Sequence, residues 1–191
     1  MDKTLKQPLI SVIIRTIGRK EFLLRSISSI IHQTYQSIEL VIVNDSSNNL
    51  HWIQEHFQGL SFLLKIIDNP SHHGRSIAAN IGLNHVTGNF IIFLDDDDYF
   101  HSEHIEKLCN TLMKNPQCIA SYTGTLLVTE DGIVINKMNQ CVDPTRMMIG
   151  NCFPIHSILF KKNIVETYSI RFDTALTHGI VTGKQIGRAH V

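Results

Sequence analysis

No stretch of this chain comes near the roughly 20 consecutive apolar residues needed to cross a bilayer. Leu9 to Ile14 is apolar but short, and Ser11 interrupts it. The start, Met1 to Lys6, has no long apolar stretch behind it of signal-peptide type. The expectation is a cytoplasmic protein without a transmembrane segment, with peripheral association at the inner face of the membrane left open. Charge of one sign is also lacking: Lys+Arg and Asp+Glu are both 17. That argues against a general nucleic-acid binder, which carries a basic excess. The four cysteines, Cys109, Cys118, Cys141 and Cys152, show no C-x-x-C spacing and read as free thiols in a reducing compartment. No internal repeat and no low-complexity linker divides the chain. One domain with two lobes is expected.

What is present is ordinary for a soluble globular protein: 191 residues, 43% hydrophobic and 18% charged. Apolar runs alternate with helical patterns. Leu9 to Ile14, Ile38 to Val43, Phe62 to Ile67 and Phe90 to Leu94 read as short buried strands. Between and after them, 21–34, 49–57, 75–86 and 102–114 read as helices. In the first of these Leu23, Leu24, Ile27, Ile30 and Ile31 recur at three- and four-residue spacing. Strands separated by helices imply βαβ units and a parallel sheet. Right-handed crossovers then put every strand's C-terminal end on one edge. After Cys118 the pattern changes. Ile119 to Thr129 and Ile133 to Lys137 flank Glu130-Asp131-Gly132, a hairpin signal that predicts a partly antiparallel portion.

Polar residues follow each parallel strand: Arg15 and Thr16; Asn44 to Ser47; Asp68, Asn69 and His72 to Arg75; and Asp95 to Asp98. Ligands of open α/β sheets bind outside the carboxyl ends of the strands, so these four clusters form one candidate site. The aspartates are its sharpest feature. Like charges this close repel, and a hard divalent cation removes that penalty. Alternation along an extended chain would send Asp95 and Asp97 to the same side. The alternative is a solvated acidic loop whose Asp98 or Ser102 caps the next helix.

Phe93 to Asp98 resembles the D-x-D segment of glycosyltransferase family 2. Three further stretches resemble that family in the same order and spacing. They are Ser11 to Arg19, its opening strand and loop; Glu39 to Ser47, its second strand; and Asn69 to Leu83, its Gly…Ala-x-Asn-x-Gly helix. Two positions depart from the pattern. The family usually has proline at the place of Arg15, and often arginine at the place of Ala79, where Arg75 could supply the charge. The resemblance covers about residues 8 to 176. It implies the Rossmann-like GT-A fold, with a mainly parallel sheet, flanking helices and a smaller mixed, partly antiparallel acceptor-side portion. It divides the domain at 1–176 into a nucleotide-sugar-binding half, 8–117, and an incomplete acceptor half, 118–176.

The same resemblance implies roles. Asp45 would accept a hydrogen bond from the base, uracil by expectation, and Thr16 would line the nucleotide pocket. Asp97 would bind Mn²⁺ or Mg²⁺ with Asp95 nearby, and Asp96 would lie near the ribose. Arg75 would lie near the diphosphate, and Asn80 on the motif helix at the nucleotide-sugar. Asn151 to Lys162 resembles the acceptor-side strand, with His156 near the site or, equally, a buried core histidine. Phe172 to Leu176 resembles the segment that leads to the family's Glu-Asp pair and its catalytic base. Thr177 to Val191 contains no carboxylate, so the base is unassigned, with His156 and Asp173 as weak candidates. Ile186 to Val191 also looks like a translated sequencing adapter, and 177–191 is expected to be a non-native tail. With an unfinished acceptor half, the apolar face of Ile158, Leu159 and Phe160 is expected to be partly uncovered.

The implied activity is metal-dependent, inverting transfer from a nucleotide-diphosphate sugar, UDP-linked by expectation, to a carbohydrate or lipid-linked acceptor hydroxyl. Two alternatives stand beside it. One is a sugar-nucleotide-binding module without transferase activity, and the other is a nucleotidyltransferase that makes nucleotide-sugars. The latter would want a glycine-rich basic loop after the first strand, where Arg15 to Lys20 has one glycine.

Overall fold

A computed structural model describes residues 7–175 apart from 58, 60, 61, 72, 130, 139–144 and 146–152. Expectations placed on His72, Cys141, Cys152 and 177–191 lie outside the described residues. Four parallel strands form the centre: β1 (Ile10–Thr16), β2 (Ile38–Asn44), β3 (Leu63–Asp68) and β4 (Phe90–Asp95). The six-stranded sheet runs β3-β2-β1-β4-β8-β5, where β5 is Ala120–Tyr122 and β8 is Ile158–Lys161. β8 is antiparallel to both β4 and β5. This is the α/β arrangement of the GT-A fold, a mainly parallel sheet with a smaller mixed flank.

β1 is buried on both faces, which explains its near-continuous apolar run. Val12 and Ile14 join one core cluster with Leu23 and Ile27 of α1 (Lys20–Ile31), Ile53 of α2 (Trp52–His56) and Leu108 of α4 (His104–Lys114). Ile13 joins a second cluster with Ala78, Ala79 and Leu83 of α3 (Arg75–His85) and Val165 of α5 (Lys162–Thr167). The alanines of α3 let that helix lie close to the sheet. Gly82 shows how close: a Cβ there would come 2.5 Å from Ile13 Cγ2.

The chain moves outward from β1 through α1 and α2 on one face, then returns across the other face through α3 to β4. The strand order therefore reverses between β1 and β4, the kind of switch point at which open α/β sheets bind ligands. Arg15 and Asp95 are register partners at that point.

One expectation is corrected here. Ile119 to Thr129 is not one hairpin strand. β5 stays in the main sheet beside β8, and the chain leaves at Thr123 and Gly124 to form β6 (Thr125–Val128), which pairs with β7 (Val134–Met138). The hairpin signal is local, whereas β5 waits for a partner nearly forty residues later. The face of β8 is covered in part: Ile158 and Phe160 are half-buried. Leu159 is fully buried between β4 and β5, and Phe160 stacks on Phe93 with ring centroids 6.4 Å apart. Several exposed apolar side chains lie on the hairpin, among them Leu126, Leu127, Ile133 and Ile135. Cys109 is a buried free thiol and Cys118 an exposed one. No helix among the described residues is long and apolar enough to cross a membrane.

Candidate active site

The four polar clusters meet at the carboxyl edge of β1 to β4. The aspartates do not continue β4 in extended form. Asp98 N donates to Asp95 O at 3.1 Å, so Asp96 and Asp97 lie in a turn. The alternation expected of an extended chain does not apply to them, because the turn satisfies backbone groups that an extended segment beyond the sheet would leave open. Asp95 is held by Arg15, through Nη2 and through Nε at 3.1 Å. Asp96 turns inward and is 3% exposed. It accepts from the Thr16 hydroxyl at 2.6 Å and pairs with Arg19. Asp97 points outward, 3.0 Å from Arg19 Nη2, and its carbonyl accepts from Arg25 at 2.9 Å. Asp98 lies 2.8 Å from His156 Nδ1.

The repulsion read from the sequence is therefore offset from within, by guanidinium groups. Arg15 lies over the Phe93 ring at 5.6 Å and reaches the Arg75 carbonyl at 3.4 Å. Arg19 lies over Phe22 at 5.0 Å, and its hydrogen bond to Asp96 raises its already high pKa further. Arg19 and Arg25 were not read as site residues. The available signal was their placement at and after the start of α1, with Phe22 between them at three-residue spacing.

Asp45 is buried, and its carboxylate gathers the loop before α3. Oδ1 accepts from Asn69 Nδ2 at 2.7 Å and from His73 N at 3.0 Å, and Oδ2 accepts from Gly74 N at 2.8 Å. Gly74 takes φ +91°, a left-handed conformation that glycine tolerates, and opens α3 there. Arg75 follows with an exposed side chain. Beside this loop, Asn44, Ser46, Asn48, His51, Asp68 and Pro70 line a depression of about 380 Å³.

Asn80 sits farther down α3 and is committed to another segment. It donates to Phe172 O at 2.9 Å and accepts from Phe172 N at 2.8 Å. Phe172 packs edge-to-face on Phe93, centroids 5.3 Å apart. Arg171 contacts Asn84, one turn nearer the C-terminal end of α3. The segment thus runs up α3 toward the carboxyl edge, where Asp173 accepts from Ala175 N at 2.9 Å in a local turn. His156 is set by the 3₁₀ turn Ile155–Ser157. Its Nε2 lies 3.5 Å from Thr125 Oγ1, and its carbonyl faces His104 Nε2 at 3.1 Å. Burial pushes the His104 pKa down to about 4.

Among the described residues no three His, Cys, Asp or Glu side chains converge as a preformed metal cage. Asp95 and Asp97 offer two hard carboxylates at most. That number suits Mg²⁺ or Mn²⁺ when phosphate oxygens and waters complete the shell. The donor set fits a divalent cation together with a diphosphate, and fits poorly a cation alone.

The family model of glycosyl transferase family 2 matches residues 11–162. An uncharacterized glycosyltransferase of Haemophilus influenzae is 36% identical over 192 aligned positions, covering 86% of this chain and 59% of that protein. The Escherichia coli UDP-Glc:alpha-D-GlcNAc-diphosphoundecaprenol beta-1,3-glucosyltransferase WfgD is 31% identical, covering 86% and 64%. Among solved structures, S. aureus TarS 1–349 in complex with UDP is similar with a TM-score of 0.67 at 17% identity, covering 90% of this chain and 52% of that one. The mannosyltransferase PcManGT of Pyrobaculum calidifontis, in complex with GDP-Man and Mn²⁺, gives 0.62 at 17% identity, covering 89% and 49%. At such identities the structural likeness shows the fold alone. This chain belongs to glycosyl transferase family 2. It spans 59% of the Haemophilus relative's length and about half of each solved chain.

Proposed function

We propose that residues 8–117 bind a UDP-sugar and a divalent cation together, and that 118–176 contribute the acceptor side of a glycosyltransferase that inverts the anomeric centre. The observation that carries this reading is the meeting of Thr16, Asp45, Arg75 and the aspartate turn at the switch between β1 and β4, in a chain of this family. Asp45 and the loop it holds would face the base, with Thr16 lining that pocket. Asp96 would lie toward the ribose, and Arg75, exposed at the N-terminus of α3, toward the diphosphate. Asn80 would serve the acceptor side indirectly, by holding Phe172. Asp95 and Asp97 would hold Mn²⁺ or Mg²⁺ with the diphosphate oxygens. A bound cation there would stabilise the charge that builds on the leaving diphosphate.

Inversion calls for one displacement. The acceptor hydroxyl attacks the anomeric carbon, the diphosphate leaves from the opposite side, and a base takes the hydroxyl proton. His156 and Asp173 are the candidates among the described residues. His156 is the better placed, since Asp98 holds its Nδ1 and fixes the ring. A lipid-linked acceptor is supported by the diphosphoundecaprenol in the WfgD name. Calorimetry with UDP decides the core of the proposal. UDP should bind far more tightly with Mn²⁺ than with chelator. Equal affinity in both would refute joint binding, and no binding in either would refute the donor site.

A further inference from the structure

Arg19 holds two aspartates at once, and the two differ. Its Nη2 contacts Asp96 Oδ1 and lies 3.0 Å from Asp97 Oδ2. Asp96 is buried and also takes the Thr16 hydroxyl, so it is fixed from two sides. The Asp97 side chain is 50% exposed, on the open side of the turn. Arg15 and Arg19 differ in the same way. The Arg15 side chain is 9% exposed, packed over Phe93 and bonded to the Arg75 carbonyl as well as to Asp95. The Arg19 side chain is 39% exposed and, besides the aspartates, rests on the ring of Phe22.

We propose that Arg19 is the displaceable counter-ion of Asp97, and Arg15 the fixed counter-ion of Asp95. In the nucleotide-free protein Arg19 occupies the carboxylate that a divalent cation needs, and so keeps cation affinity low. A diphosphate offers the guanidinium a better partner, because its oxygens match the planar fork and carry more charge. Arg19 then moves from Asp97 to the diphosphate, and Asp97 is released to the cation. A guanidinium and a divalent cation on one carboxylate repel as like charges a few ångströms apart, and Arg19, the more exposed of the two arginines, is the one free to withdraw. The nucleotide thereby raises cation affinity, and linkage requires the cation to raise nucleotide affinity by the same factor. This deepens the donor-site reading above and rests on it.

The test reads Mn²⁺ binding by electron paramagnetic resonance, without nucleotide and then with UDP. Circular dichroism melts check that each variant is folded. Without nucleotide, Arg19→Gln should bind Mn²⁺ about five- to tenfold more tightly than the parent protein, the range expected for removing one partly exposed competing charge. Arg19→Gln combined with Asp97→Asn should lose that gain. With UDP present, Arg19→Gln should show a smaller coupling between nucleotide and Mn²⁺. Arg19→Lys keeps the charge without the fork, so it should retain the low Mn²⁺ affinity and still lose coupling. Unchanged or weaker Mn²⁺ binding in Arg19→Gln, or tightening in Arg19→Lys, overturns the proposal, as does Mn²⁺ binding to neither protein. If UDP binds with full coupling in Arg19→Gln, only this inference fails. If UDP does not bind the parent protein at all, the donor-site reading fails.

Discussion

Thr16 and Asp96, eighty positions apart, share a 2.6 Å hydrogen bond at the point where the strand order reverses. The hydroxyl donates to Oδ2, and the same hydroxyl accepts from Gly18 N at 2.9 Å. One threonine therefore joins the loop after β1 to the turn after β4. The same carboxylate pairs with Arg19, so three side chains meet at one buried aspartate. Asp96→Ala should leave the Thr16 hydroxyl and the Arg19 guanidinium without their acceptor. The expected cost is about 1–3 kcal/mol of stability, with UDP binding weakened at least tenfold. Chemical denaturation and calorimetry read the two effects separately. Loss of stability with unchanged UDP affinity would make Asp96 a strut and nothing more.

Asp45 has an observed duty and a proposed one to separate. It was read from the sequence as the reader of the base. In the structure its carboxylate also anchors Asn69, His73 and Gly74. A carboxylate has about four acceptor positions, so the two duties are compatible. Asp45→Asn replaces one acceptor oxygen with a donor and sets it against at least one N–H. UDP binding should fall about tenfold as the loop loosens. Cytosine lacks the N3 proton, so CDP should suffer less and the UDP-to-CDP ratio should narrow. Measuring both nucleotides on both proteins decides. A uniform loss with the ratio intact would assign Asp45 to the loop alone.

Much of this site was legible because its parts are local. Four aspartates directly after Phe90 to Leu94 mark a strand end in any arrangement, and the parallel direction of the strands follows from their alternation with helices. What could not be read is what those residues do to one another. The pairing of Arg15 with Asp95 depends on the register of β1 beside β4, and that of Arg19 with Asp96 on how the loop after β1 meets a turn. No periodicity carries either. The same limit explains the misplaced hairpin strand. Thr123 N donates to Ser157 O at 3.0 Å, a bond to a partner still to come in the chain.

Far from the site, Glu39 supplies a pH dependence. Its carboxylate is fully buried at the amino edge of the sheet, where burial alone would raise its pKa. Bonds from Ser11, Thr87 and Lys65 outweigh burial and hold it at about 2. A depressed carboxylate pKa contributes stability that is complete above the unfolded value, near 4.3, and is lost as pH falls toward 2. The contribution is at most about 3 kcal/mol at neutral pH. Glu39→Gln should lower Tm clearly at pH 7, and the gap to the parent protein should shrink as pH falls from 5 to 2.5. Melting curves that stay equally separated across that window would remove Glu39 as the source.

Asn80 offers the cleanest separation of donor binding from acceptor-side structure. Its side-chain amide donates to Phe172 O and accepts from Phe172 N, the pattern a neighbouring strand would offer. The clamp ties the segment of Arg171 and Phe172 to α3. Asn80→Ala removes both bonds and leaves two partly buried backbone groups open, at a cost of about 1–3 kcal/mol. The loops that carry Thr16, Asp45 and the aspartate turn do not depend on this clamp. UDP affinity with Mn²⁺ should therefore stay within about twofold, while hydrogen exchange at Phe172 N should speed up markedly. If Asn80→Ala instead weakens UDP tenfold with Phe172 N still protected, the amide reaches the donor directly. The indirect role proposed for it would then be wrong.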